Sequence, residues 1–106
     1  MKLNVYSIFD SAAKAYTQPF FMHNDGLAIR AFQDNVNSEQ ENNISKHPDQ
    51  FTLFKIAEFD DATGQIEAIS PKSLGNGLEY KTEMEISESI SKLILEKLDS
   101  LLKEQK

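Results

Sequence analysis

Residues 51–69 read Phe51-Thr52-Leu53-Phe54-Lys55-Ile56-Ala57-Glu58-Phe59, then Asp60-Asp61-Ala62-Thr63-Gly64, then Gln65-Ile66-Glu67-Ala68-Ile69. The first segment is the strongest strand signal in the chain, rich in aromatic and apolar side chains. The second is a turn, in which Gly64 supplies the left-handed position that short hairpin loops demand. The third returns as a partner strand. A hairpin is the anchor from which the rest of the fold is read.

Upstream, Lys2 to Phe9 (KLNVYSIF) reads as another strand closed by Asp10-Ser11. Leu3, Val5 and Ser7 point to one side and Asn4, Tyr6 and Ile8 to the other. Apolar residues on both sides predict an internal strand. Pro19 forces Gln18 to be extended, so no helix crosses residues 12–22 and this stretch reads as irregular, with Phe20-Phe21-Met22 on the core. Asn24 then caps a helix whose dipole favours Asp25, with Leu27, Ala28, Ala31, Phe32 and Val36 at helical spacing. The polar run from Asn37 to Asn43 reads as a loop.

Downstream of the hairpin, Pro71, Gly75 and Gly77 mark a second irregular stretch, with Leu74 and Leu78 as its expected anchors. From about Ile86 to Lys103 the chain lacks Gly and Pro and predicts a helix, with Thr82 and Glu85 at capping-box spacing. Its apolar residues cover an arc of about 200°, twice what one packing face needs. The expected oligomer interface is therefore Ile90, Leu93, Ile94, Leu95, Leu98, Leu101 and Leu102, paired with a second copy as a homodimer or larger closed oligomer. The expected class is α+β: a small, mostly antiparallel sheet in the order β-α-β-β-α with a long C-terminal helix. Residues 1–80 form the core domain and 81–106 the helical packing and oligomerisation element of the same domain.

The 106 residues suit one domain, and 11 Lys plus Arg against 17 Asp plus Glu give a formal charge of −6. Bulk charge thus opposes duplex DNA and anionic membranes. With no cysteine there is no disulfide framework, thiolate metal site or cysteine nucleophile, and His23 and His47 form no local ligand pair. No segment approaches the roughly 18 apolar residues of a membrane span, and no signal peptide is read at the N-terminus. The glycines of Ser73-Leu74-Gly75-Asn76-Gly77 lack the partners of a phosphate loop. The expectation is a protein with no enzymatic activity, metal or cofactor.

Seven Phe and three Tyr leave one binding chemistry open, stacking of single-stranded bases on exposed rings beside Lys or Arg. Candidates are Tyr6, Tyr16, Phe20 and Phe21, with Lys14, Arg30 and Lys55 for phosphates; Phe54 and Lys2 are secondary candidates. The opposing expectation is that most of these rings are core.

Several segments resemble a known family: Tyr6-Ser7-Ile8-Phe9-Asp10, Ala15-Tyr16-Thr17-Gln18-Pro19-Phe20-Phe21, Ala28-Ile29-Arg30-Ala31-Phe32-Gln33-Asp34-Asn35-Val36-Asn37, and Phe51-Thr52-Leu53-Phe54 with Phe59-Asp60. Over about residues 3–80 the chain resembles the small nonstructural protein of gokushoviruses, Microviridae with circular single-stranded DNA that infect bacteria. The resemblance implies a protein of the host bacterial cytoplasm that is not built into the virion. It also implies action on single-stranded viral DNA during replication or packaging, and no catalytic residues. The alternative expectation is an acidic assembly factor that contacts a viral replication or capsid protein and never touches DNA.

Overall fold

The computed structural model describes residues 1–82 and 94–99. Strand β1 (Lys2–Asp10) is followed by β2 (Ala15–Tyr16), β3 (Phe20–Met22), helix α1 (Asp25–Val36), the short helix α2 (Asn43–Lys46) and a 3-10 turn at Pro48–Gln50. Strands β4 (Phe51–Asp60) and β5 (Ile66–Asn76) and the short helix α3 (Gly77–Tyr80) complete the order. All pairings are antiparallel. β1 is internal, with β4 along one edge and β2 and β3 sharing the other, and β5 lies outside β4.

The stretch read as irregular at residues 12–22 is a return strand broken in the middle. Asp10 Oδ1 accepts from the backbone N–H groups of Ala12 and Ala13, and Lys14 turns the chain at φ +56°. Tyr16 then pairs with Phe9, whereas Phe20 pairs with Tyr6, so one extra residue is absorbed between them. Pro19 has no N–H to donate, and Thr17 bridges the gap instead. Its N–H donates to Ile8 O at 2.8 Å, its Oγ1 accepts from Ile8 N at 3.0 Å, and its carbonyl accepts from the buried Ser7 hydroxyl at 2.8 Å.

The hairpin at 51–69 is present, and β5 runs on to Asn76. Gly64 sits at φ +75° and donates to Asp60 O at 2.8 Å, closing the loop. Beyond Ala68 the register slips twice, once around Ile56 and Pro71 and once around Leu74. An edge strand tolerates Pro and bulges because its outer side has no partner. Of the two expected anchors, Leu74 packs on the core, but Leu78 is exposed; Tyr80 anchors instead, edge-on to Phe32 with centroids 5.9 Å apart and its hydroxyl donating to Leu74 O.

The core joins Tyr6, Ile8, Phe51 and Leu53 from the sheet to Ala28, Phe32 and Val36 on α1. Helix α1 starts where expected, with Asn24 Oδ1 accepting from Leu27 N at 2.9 Å. At its other end Asn37 donates to Gln33 O and Tyr80 O and accepts from Thr82 N, and Lys81 Nζ donates to Val36 O at 3.3 Å.

The expected fold is corrected on two points. The order is not β-α-β-β-α: two short strands precede the first helix, giving a five-stranded antiparallel sheet. No long C-terminal helix is shown among the described residues, where α1 is the one helix of seven or more residues and 94–99 form a six-residue helical stretch. The rest of the expected helix, including Ile90, Leu93, Leu101 and Leu102, lies outside the described residues. Helical periodicity becomes a stable element only with a surface to pack on. Among the described residues the core face of the sheet is covered by α1 and α3.

Candidate nucleic-acid interface

Side chains opposite one another on paired strands share a face, so the pairings sort the rings. Tyr6, Ile8, Leu53 and Phe20 lie on the face that carries the helices. Leu3, Val5, Ser7 and Phe9 of β1 share the other face with Tyr16, Phe21, Phe54, Ala57, Phe59 and Ile66. Five of the ten aromatic rings thus gather on the face away from α1. They form two groups. Tyr16 lies 4.9 Å from Phe9 and 5.7 Å from Phe54, and Phe21 lies 5.6 Å from Phe59. Between them Val5, Ser7 and Ala57 are buried, while Tyr16 is 49% exposed, Phe21 47% and Ile66 61%.

At its paired positions this face is also uncharged. Every carboxylate at a paired position (Asp10, Glu58, Asp60, Glu67) falls on the opposite side, as do Lys2, Lys55 and Lys72. Lys14 stands in the turn that leads into Tyr16 and is exposed. At the paired positions the ring face thus offers apolar surface without a carboxylate, with Lys14 adjoining it at one end and the Asp60-Asp61 turn at the other.

The expected contact residues are divided by this geometry. Tyr16, Phe21 and Lys14 are brought together at or beside the ring face. Tyr6 is fully buried; its hydroxyl donates to Asp25 Oδ1 at 2.7 Å and accepts from Asn4 Nδ2 at 3.0 Å. Burial, reinforced by the Asp25 hydrogen bond, pushes the Tyr6 phenol up to about 12. Tyr6 ties β1 to the start of α1 and has no surface for a base. Phe20 is stacked on Tyr6 at 5.7 Å and belongs to the core. Arg30 is exposed on α1, away from the ring face, and Lys55 is bound to Glu58 at 3.3 Å with its side chain only 16% exposed. Phe9 and Phe59 are ring-face residues that the sequence reading missed. The signal was there for Phe9, which shares the two-residue period of Val5 and Ser7.

Among the described residues no three His, Cys, Asp or Glu side chains are placed to hold a metal ion, and no helix is long and apolar enough to cross a membrane. The model of the family described as Phage ORF5 protein matches residues 3–80. The chain belongs to that family. It is a phage protein, and the matched span runs from the start of β1 to the end of α3, taking in both faces of the sheet. No curated protein and no solved structure matches the chain.

Proposed function

We propose that this Phage ORF5 family member is a nonstructural protein of the gokushovirus type within the Microviridae. In this reading it binds single-stranded viral DNA in the host bacterial cytoplasm during replication or packaging and catalyses no reaction. The observation that carries the proposal is the ring face, uncharged at its paired positions, with Tyr16 and Phe21 half-exposed. Bases stack on rings whatever their identity, and phosphates on the outer side of the strand meet no carboxylate at the paired positions. Fluorescence anisotropy of a labelled single-stranded oligonucleotide, at low and high salt, tests it. Binding should weaken when Tyr16 or Phe21 is replaced by Leu. Absence of binding at low salt removes the proposal.

A second reading has its own observation. Ile94 is 53% exposed, Leu95 64% and Leu98 50%, on the helical stretch 94–99. These residues favour association with a second copy as a homodimer or larger closed oligomer. A viral replication or capsid protein is the other candidate partner for such an acidic assembly factor. A pull-down that returns such a partner unaffected by nuclease supports this reading over DNA.

A further inference from the structure

The two ring groups repeat one geometry. Tyr16 and Phe54 meet edge to face with centroids 5.7 Å apart and planes at 69°, and Phe21 and Phe59 do so at 5.6 Å and 70°. Each pair crosses β1 on a diagonal. Tyr16 is opposite Phe9 and Phe54 opposite Ser7, while Phe21 is opposite Val5 and Phe59 opposite Leu3. The second pair is the first displaced by four residues along β1, or about 13 Å at strand rise. No ring fills the interval, where Val5, Ser7 and Ala57 are buried.

We infer that the ring face holds two separate stacking subsites for one DNA strand, Tyr16–Phe54 and Phe21–Phe59, and that a strand must bridge both to bind well. The inference rests on the single-stranded-DNA reading above. A stacked strand advances about 3.4 Å per nucleotide, so bridging about 13 Å takes about four nucleotide steps. The bases held are not adjacent, and those between them face no ring. The subsites also differ in charge. Lys14 adjoins the first, two residues before Tyr16. The second borders the Asp60-Asp61 turn, where the N-terminal amine neutralises Asp61 at 2.8 Å.

The test is anisotropy with labelled oligothymidylates lengthened one nucleotide at a time, on the full-length chain. Short strands should bind weakly, and affinity should jump about 5- to 100-fold once the strand spans both subsites. Phe59→Leu should abolish the jump and leave short-strand binding in place. Phe21→Leu, at a half-exposed position, should give the same readout without disturbing packing beneath Phe59. A smooth rise of affinity with length, or a jump that survives both variants, overturns the two-subsite inference while leaving DNA binding intact. Absence of binding at every length overturns the DNA reading itself. If the chain binds no strand yet sediments as a dimer that Phe21→Leu splits, the ring face is a protein interface and both fall.

Discussion

Replacing Tyr6 by Phe removes one oxygen from the centre of the fold. That hydroxyl donates to Asp25 at 2.7 Å and accepts from Asn4 at 3.0 Å, on a side chain with no exposed surface. A hydrogen bond to a charged group contributes about 1.5–3 kcal/mol. Asp25 keeps some access to water and Asn4 Nδ2 retains it as a second partner at 3.5 Å, so the loss should fall in the lower half of that range. For a domain of this size a loss of about 2 kcal/mol lowers Tm by about 8–16 °C. The same change has a pH signature. The phenol is raised from 10 to about 12 in the folded chain. A raised group contributes its stability fully below the unfolded value, and that contribution is lost as pH climbs through the folded one. Between pH 10 and 12 the wild-type chain should therefore lose about 2–3 kcal/mol through Tyr6, a loss the Phe variant cannot show. Tyr80 is also raised, first by burial and then by Glu79, so wild type and variant share that part and their difference isolates Tyr6. Urea melts of both chains at neutral pH and across the alkaline range give both quantities. A variant that melts within about 2 °C of wild type, or keeps the wild-type alkaline loss, refutes the assignment of Tyr6 as the link between β1 and α1.

Gly77→Ala would put its Cβ 2.2 Å from the Pro48 carbonyl oxygen, so α3 and the 3-10 turn must part, at a cost of about 1–3 kcal/mol by thermal melting. Gly64→Ala meets nothing within 4 Å and should lose only the left-handed backbone cost of about 1–2 kcal/mol. Asn37→Ala severs side-chain bonds to Gln33, Tyr80 and Thr82, and should speed amide exchange at Thr82 several-fold in hydrogen-exchange measurements. Leu98→Glu should lower the mass seen by light scattering if the exposed residues at 94–99 pair chains, whereas a wild-type monomer mass rejects that pairing. Single-strand affinity should fall about three- to sevenfold for a fourfold rise in salt, the slope of one or two phosphate contacts.

The hairpin and α1 were legible because each is announced locally, by the dense strand ending at Gly64 and by the Asn24 cap. The return strand at 15–22 was not, because Pro19 breaks the pattern and the bond that replaces it comes from Thr17, a residue with no strand signal of its own. The end of β5 was hidden for the same reason. Pro71 and Gly75 read as terminators, yet on an edge strand they mark bulges, with Gly75 at φ +132°. The C-terminal periodicity promised a long helix packed on the sheet. Among the described residues α1 and α3 pack on that face.

The candidate site turned on a choice that alternation along one strand leaves open. Period two separates Tyr6 and Ile8 from Val5, Ser7 and Phe9, but it does not say which set the helix will cover. That is decided by volume and by the polar partner each set can reach. Tyr6 can bury its ring because its hydroxyl meets Asp25 at the start of α1, and Phe20 follows it by stacking on that ring. Once Tyr6 is committed inward, Phe9 is committed outward, and antiparallel pairing carries Tyr16, Phe21, Phe54 and Phe59 with it. The carboxylates follow the same rule in the opposite sense. Asp10, Glu58, Asp60 and Glu67 go to the helix-bearing side, so the ring face carries no carboxylate at its paired positions. The overall charge that argued against nucleic acid thus does not describe the paired positions of the ring face, and the Tyr6 hydrogen bond to Asp25 joins Ile8, Phe51 and Leu53 in holding the opposite face against α1.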